Sequence, residues 1–407
     1  MKKVRLRHLV QVNPLTRAFD LLSDDDELTF LPMEAVWSGS RLDTSHRRRK
    51  ASVAVGYTRF QDGDVLVPKI TPTFEAGRAV LIGGLIGGVG AGTTELHVLR
   101  PGPRIDARFL LYVVSTHGFL KFGAAEMYGV AGQQRVPDRY LRDLMISLPD
   151  LEDQRRIADF LDVETRKIED LVSRKRHLVA LLEERCDSKI LSHVGASALV
   201  AGAAGEPTLP VRRLLAKVVR PPIADLGVVT AYRDGRVTAR SLRRAEGYTL
   251  SASTEAQGQS VVPGDVVIHG LDGFAGAIGT SEASGNCSPV YHVCEPHNGG
   301  DSDYFGRLLR LLALQGYLGN FATSTRERAV DFRNWDLFGR IPLPVMPVDE
   351  QCEVGASIRR IRPLKELVER SAVLAAERRQ ALITAAVTGQ FDVSTASGRN
   401  VTEGITA

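Results

Sequence analysis

The sequence predicts an α/β protein of the α+β kind, built as a tandem repeat. Two globular units are each followed by a long amphipathic helix, and the two helices pair as an antiparallel coiled coil with pseudo-twofold character. Three observations predict this. From Leu148 to Ile190 the apolar residues Ile157, Leu161, Ile168, Leu171, Leu178, Leu182, Cys186 and Ile190 recur in steps of three, four and seven against a charged remainder. A second such run follows Val348, with Ile358, Ile361, Leu364, Leu367, Leu374 and Leu382. Finally, blocks recur in the same order at nearly constant spacing, the signature of a duplicated unit. PGDVVIHGL (263–271) answers DGDVLVPKI (62–70), IPLP (341–344) answers ISLP (146–149), and VRRLLAKV (211–218) answers VRLRHLV (4–10).

In chain order, residues 1–147 alternate short β-like runs with turns. Val65 to Val67 follows the turn Gln61-Asp62-Gly63-Asp64, and Glu95 to Leu99 precedes Arg100-Pro101-Gly102-Pro103. A helical stretch is expected from Ala107 to Phe122. Residues 148–196 form the first long helix, with Asp150 as its N-cap and Glu152 and Asp153 in the first turn, where the helix dipole favours carboxylates. Ile157 to Ile190 would span about 50 Å at about 1.5 Å per residue. A helix of that length must bury its stripe on a partner, and the helix of residues 346–392 supplies one. Pro363 lies inside it, so a bend or a late start is expected there. The small, Pro/Gly-bounded stretch 197–210 reads as a linker leading into a second globular unit, and residues 197–345 are taken together as that domain. Residues 393–407 read as a disordered tail.

At 407 residues, with 43% hydrophobic and 25% charged content, the chain has ordinary globular composition and room for two or three domains. A net charge of +4 permits a nucleic-acid partner without requiring one. The four cysteines are irregularly spaced and Cys186 falls on a helix stripe, which fits a reduced, cytoplasmic protein. No apolar core follows the basic start, so no export signal is expected. The window 79–91 is too short and glycine-rich to span a bilayer.

Catalytic and metal signatures fail on inspection. GGLIGGVGAG (83–92) lacks both the G-x-G-x-x-G frame and the Gly-Lys-Ser/Thr of a P-loop, and reads as a tight turn. Ser288-Pro289-Val290-Tyr291 lacks the leading amide or carboxylate of an amino-methyltransferase loop. Cys287, His292, Cys294 and His297 match no standard zinc spacing. Metal and cofactor are therefore expected to be absent, and the chain is expected to catalyse nothing.

Candidate binding residues do stand out. Arg47, Arg48, Arg49 and Lys50 form a basic run in a predicted loop, suited to phosphate. Gln133, Gln134 and Arg135 lie in a glycine-flanked segment, and Gln and Arg pair bidentately with adenine and guanine edges. The second unit offers Arg236, Arg240, Arg243 and Arg244, with Arg326 and Arg328 at the place of Gln133 to Arg135. Lys69 is a further candidate, but its counterpart is Gly270, so the two units need not dock alike.

These blocks carry a resemblance. GDVLVPKITPTFEAGRAV (63–80), GVGAGTTELHVLRP (88–101), GDVVIHGLDGFAGAIGTSEASGNCSPVYHV (264–293) and the LPDLEDQRRI and VDEQ helix starts are similar to the DNA specificity subunits of type I restriction–modification systems. The resemblance runs over nearly the whole chain. It implies two target-recognition domains, each meeting one half of a bipartite double-stranded DNA site. It implies helices that fix the unread gap and dock two modification subunits, which bind S-adenosylmethionine and methylate adenine, while restriction subunits translocate and cut. The competing expectations are a DNA adenine methyltransferase, or a fragment of a fused methyltransferase–specificity protein, and a scaffold whose helices bind only protein.

Overall fold

Short, continuously apolar runs around Val65 and Val266 form the middle layer of each half. In the computed structural model, which describes residues 2–36, 42–130, 132–194, 208–243, 258–321 and 332–395, the chain divides into two units. One comprises Met1–Ser173 with Arg370–Ala407, the other Arg174–Glu369.

The first unit holds β1 (Lys2–Arg5), β2 (Val10–Val12), α1 (Arg17–Asp20), β3 (Glu27–Leu31), β4 (Arg47–Arg49), β5 (Thr58–Gln61), β6 (Val65–Pro68), β7 (Val80–Leu81), β8 (Val89–Gly92) and β9 (Leu96–Pro101). There follow α2 (Ala107–Val113), α3 (His117–Ala125), α4 (Asp138–Asp143), β10 (Met145–Leu148) and the start of α5 (Leu151–Val194). An antiparallel sheet of order β2-β9-β6-β7 lies between a helical layer and a mixed sheet β4-β3-β8-β5. Val65 and Val67 join the helix-side core with Phe109, Leu110 and Leu141, whereas Leu66 joins Leu31 and Phe60 of the other sheet. Both faces of β6 are covered, which is why its sequence is continuously apolar.

The second unit repeats this plan. It holds β11 (Thr208–Pro210), α6 (Val211–Leu214), β12 (Leu215–Val218), β13 (Val229–Ala231), β14 (Val237–Ala239), β15 (Gln259–Val261), β16 (Val266–His269), β17 (Ile278–Thr280), β18 (Gly285–Cys287) and β19 (Tyr291–Pro296). After them come α7 (Ser302–Leu314), α8 (Trp335–Phe338), β20 (Pro342–Pro344) and the start of α9 (Val348–Thr388). Its central sheet has order β12-β19-β16-β17, strand for strand the counterpart of β2-β9-β6-β7. Val266 and Ile268 face the helix-side core and Val267 the other side.

Local chemistry repeats with the topology. Asp64 and Asp265, from the DGDV and PGDV blocks, are both buried and both bound bidentately by arginine: Arg100 at 2.8 and 2.9 Å, Arg220 at 2.6 and 3.0 Å. Asp106 caps α2 and Asp301 caps α7, each accepting from two backbone amides. Gln154 and Gln351, near the starts of α5 and α9, are buried and donate back to Pro149 O (3.0 Å) and Met346 O (2.7 Å). The predicted N-cap is also present, since Asp150 Oδ1 accepts from Asp153 N at 2.8 Å.

The long helices run antiparallel within each unit. In the first, Ile157, Ala158 and Leu161 share a core with Leu382, Ile383, Ala386 and Val387, and Glu169 meets Arg379 at 3.3 Å. In the second, Arg176 meets Glu369 (3.0 Å), Glu183 meets Lys365 (3.0 Å) and Lys189 meets Glu353 (2.8 Å).

Several expectations need correction. Leu171 and Leu178 of the predicted stripe are 55% and 58% exposed, and Leu364, Leu367 and Leu374 are exposed as well. The inward line on α5 instead steps by seven through buried Thr165, half-buried Val172 and buried Val179 and Cys186, one residue away from Leu171 and Leu178. Helix α9 starts at Val348 and continues through Pro363, so the late start is not found. The single helix expected over 107–122 is two, because Thr116 accepts from Phe119 N (3.3 Å) and opens α3. Arg47 to Arg49 form an edge strand, not a loop. The first residues of the expected tail are ordered, since Val393 to Thr395 make a turn and Val393 packs on the first core. Residues 396–407 lie outside the described residues, as do residues 195–207, while the last three residues of the expected 197–210 linker form strand β11.

Candidate nucleic-acid interface

Basic side chains reach nucleic acid only if the fold leaves them unpaired or poised, so each candidate's partners decide what it can do. On β4, Arg49 is well exposed, with Asp25 at 3.8 Å. Arg47 bonds the carbonyls of Thr44 and His46, holding its guanidinium close to the strand. Arg48 lies over the Phe30 ring at 4.0 Å and donates to Tyr57 Oη at 3.2 Å. That cation–π contact stabilises its rotamer by about 0.5–1 kcal/mol while leaving the charge in solvent. Lys50 is withdrawn: its Nζ donates to Leu22 O (2.8 Å) and pairs with Asp24 (3.1 Å).

Lys69 and the 133–135 segment come together. Val136 N donates to Lys69 O at 2.9 Å, and Thr71 N donates to Gln134 O at 3.0 Å. Lys69 Nζ donates to Thr94 O (3.0 Å), while the adjoining Glu95 takes Arg135 bidentately at 2.8 and 2.9 Å. The Arg135 guanidinium holds the Glu95 carboxyl below the usual carboxylate range. Gln133 is exposed and Gln134 half-buried. A cleft of about 500 Å³ is lined by Lys69 together with Pro14, Leu15, Val55, Tyr57 and Arg59. Tyr57 and Arg59 were missed from sequence. Arg59 lies over Phe19 at 4.1 Å and pairs with Asp20 at 3.1 Å.

In the second unit, Arg236 pairs with Glu282 and Glu366, both at 3.2 Å, tying the β13–β14 hairpin to α9. Arg243 pairs with Asp234 and lies 4.4 Å over Tyr232. Arg240 donates to Thr230 Oγ1 at 3.3 Å. The structure therefore brings Arg236, Arg240 and Arg243 to one hairpin. Arg244, Arg326 and Arg328 lie outside the described residues.

A buried histidine stands beneath each candidate surface. His97 on β9 is 1% exposed and His292 on β19 is 2% exposed. His97 Nε2 meets Val136 O at 2.9 Å, and His292 Nε2 meets Phe332 O at 2.5 Å. Burial pushes the His97 imidazole down to about 4 and lowers His292 also, so both rings are neutral near pH 7. A neutral ring facing a carbonyl through Nε2 must carry its proton there.

The former zinc and methyltransferase candidates are accounted for by packing. Cys287 and Cys294 are buried in the two cores of the second unit, and burial pushes the Cys287 thiol up to about 12. Tyr291 packs against His269 at 4.6 Å and is itself pushed up to about 12. Among the described residues, no group of three or more His, Cys, Asp or Glu could hold a metal, and no helix is long and apolar enough to cross a membrane.

Comparison with known proteins gives the class first. A chain solved in work on the "structural basis underlying complex assembly and conformational transition of the type I R-M system" superposes over 96% of this chain and 98% of its own length. Its TM-score is 0.62 at 14% identity, which establishes a shared fold. The particular likeness is closer. The type I restriction enzyme EcoAI specificity subunit of Escherichia coli is 38% identical over 156 residues, 37% of this chain and 26% of that protein. The EcoEI specificity subunit of Escherichia coli is 37% identical over 159 residues, 38% of this chain and 26% of that protein. The chain thus spans about a quarter of the length of the curated relatives it matches. No protein-family model matches. The resemblance to type I specificity subunits drawn from the sequence blocks is borne out by these relatives.

Proposed function

We propose that this chain is the DNA-reading specificity subunit of a type I restriction–modification complex and performs no bond-making itself. Each unit reads one half of a bipartite double-stranded DNA site. The helices α5 and α9 set the unread gap and dock two modification subunits, which supply S-adenosylmethionine and adenine methylation; restriction subunits add translocation and cleavage. The observation that carries this reading is the strand-for-strand repetition of the central sheet, with basic side chains gathered beside each copy.

In the first unit, Arg47, Arg48 and Arg49 meet phosphates, and Gln133 and Gln134 meet base edges. Lys50, Lys69 and Arg135 shape that surface through their own pairs. In the second unit Arg236, Arg240 and Arg243 act from the hairpin, joined by Arg244, Arg326 and Arg328. Deleting or inserting one helical turn within residues 161–182 tests the reading. The distance between methylated half-sites in the host genome should then change, because each turn advances a helix about 5.4 Å. Unaltered spacing removes the helices as the ruler.

A further inference from the structure

A segment that reads base edges has to be held still, and backbone hydrogen bonds hold residues 128–136 at both ends. At its upstream end, Tyr128 and Arg135 exchange backbone hydrogen bonds at 3.2 and 2.9 Å. At its downstream end, Val136 is fixed on both sides. Its N–H donates to Lys69 O and its carbonyl accepts from His97 Nε2. The far side of the ring is held by Asn13, whose Nδ2 donates to Nδ1 at 3.2 Å and to Asp138 Oδ2, at the start of α4, at 2.9 Å. Asn13 is itself fixed, since its Oδ1 accepts from Val98 N at 2.9 Å and its backbone sits at φ 51°.

The duplication repeats this arrangement with different surroundings. Phe332 N donates to Gly270 O (2.8 Å), and Phe332 O accepts from His292 Nε2. Gly270 stands where Lys69 stands, and Phe332 where Val136 stands. The Nδ1 side differs, because His292 Nδ1 has no hydrogen-bond partner among the described residues and the ring packs on Trp335 and Phe338. What both halves keep is the Nε2-to-carbonyl bond and the sequence His-Val-x-x-Pro (97–101 and 292–296). A histidine kept only for packing would not need its proton aimed at the same backbone carbonyl twice.

We infer that His97, with His292 as its counterpart, is a positioning residue that anchors the downstream end of the segment bearing Gln133, Gln134 and Arg135, so that sequence discrimination depends on a side chain that never touches DNA. This inference rests on the DNA-reading function proposed above. Two full-chain variants test it. His97→Leu removes the donor at similar volume, and His97→Gln retains an N–H donor. Amide hydrogen exchange is followed in the DNA-free chain. Affinity of the chain with its modification subunits is then compared between the genomically methylated site and versions with one half-site scrambled.

In His97→Leu, amides of residues 128–136 should exchange at least tenfold faster while those of β6 and β9 keep their rates. Discrimination at one half-site should fall about tenfold, with binding to scrambled DNA unchanged, and His97→Gln should restore both. Unaltered exchange at 128–136 overturns the inference, and so does uniform loosening of the whole sheet, which marks an ordinary core residue. Faster exchange with intact discrimination at both half-sites also overturns it, but through the reading assigned to the segment and not through the anchor. Should His97→Leu fail to fold, Asn13→Ala removes the Nδ1 partner together with the bond to Val98 N, and faster exchange at 128–136 is expected at smaller amplitude, with Val98 the one β9 amide that changes.

Discussion

Replacing Gln154 or Gln351 by leucine makes the same chemical change at matched positions of the repeat, yet the two should differ in cost. Gln154 is fully buried and uses its whole amide: Oε1 accepts from Asp106 N at 2.8 Å, and Nε2 donates to Arg104 O (3.1 Å) and Pro149 O (3.0 Å). Leucine orphans three backbone groups. At about 1–3 kcal/mol for each of the three buried groups left unmade, less about 1 kcal/mol regained from apolar burial, the net loss is about 2–8 kcal/mol. Among the described residues Gln351 makes one side-chain bond, to Met346 O, and its Oε1 is buried without a partner. Leucine there orphans one carbonyl but removes one unsatisfied oxygen, so about 0–1 kcal/mol is expected. Hydrogen exchange read by peptide reports each unit separately, which matters because two units need not unfold together. Destabilisation in Gln154→Leu should appear in residues 1–173. A loss in Gln351→Leu equal to or larger than that in Gln154→Leu would refute the reasoning.

Two further predictions follow from geometry and charge. The folded His97 imidazole titrates near 4, against an ordinary value of 6.5, so between those values the unfolded chain binds a proton that the folded chain refuses. Stability is therefore complete above about pH 6.5 and falls towards pH 4, by up to about 3 kcal/mol from this group. Urea titrations from pH 7.5 to 4.5 should show a shallower fall in His97→Gln than in the native chain, and an identical fall would contradict it. At Gly279 a Cβ would lie 2.0 Å from Gly235 O, whereas at Gly83 it would meet nothing within 4 Å. Gly279→Ala should thus cost more than about 2 kcal/mol and Gly83→Ala under about 0.5 kcal/mol, read as the difference in denaturation midpoints.

Much of this architecture was legible in the sequence because the repeat preserves residues whose backbone duties are the same in both halves. Asp64 and Asp265 follow glycine turns in matching blocks, and both become the buried carboxylate under the central sheet. Their arginines were not legible: Arg100 lies on β9 and Arg220 beyond β12, so the pairing is conserved in space but not in register. The stripe on α5 was right at Leu161 and Cys186 and one residue off at Leu171 and Leu178. Helical periodicity alone does not say which of two adjacent leucines meets a partner whose own seam includes ion pairs such as Glu183–Lys365. Arg47 to Arg49 looked like a loop because all three side chains are exposed, and an edge strand with charge on both faces leaves no alternation to detect. Arg236 was read as a binding candidate, but its carboxylates, Glu282 just after β17 and Glu366 on α9, come from separations no local pattern reports. His97 and His292 left a trace, the shared His-Val-x-x-Pro, whose meaning emerged only with the carbonyls they face.

The most direct measurement is a footprint of the purified chain with its modification subunits on DNA containing the genomically methylated site. The account predicts two protected blocks of unrelated sequence separated by a gap whose bases can be changed freely. With Arg47, Arg48 and Arg49 all reversed to glutamate, protection of one block should be lost first. A single continuous protected site, or a gap whose sequence matters as much as its flanks, would contradict the claim that two duplicated units each read half of the target.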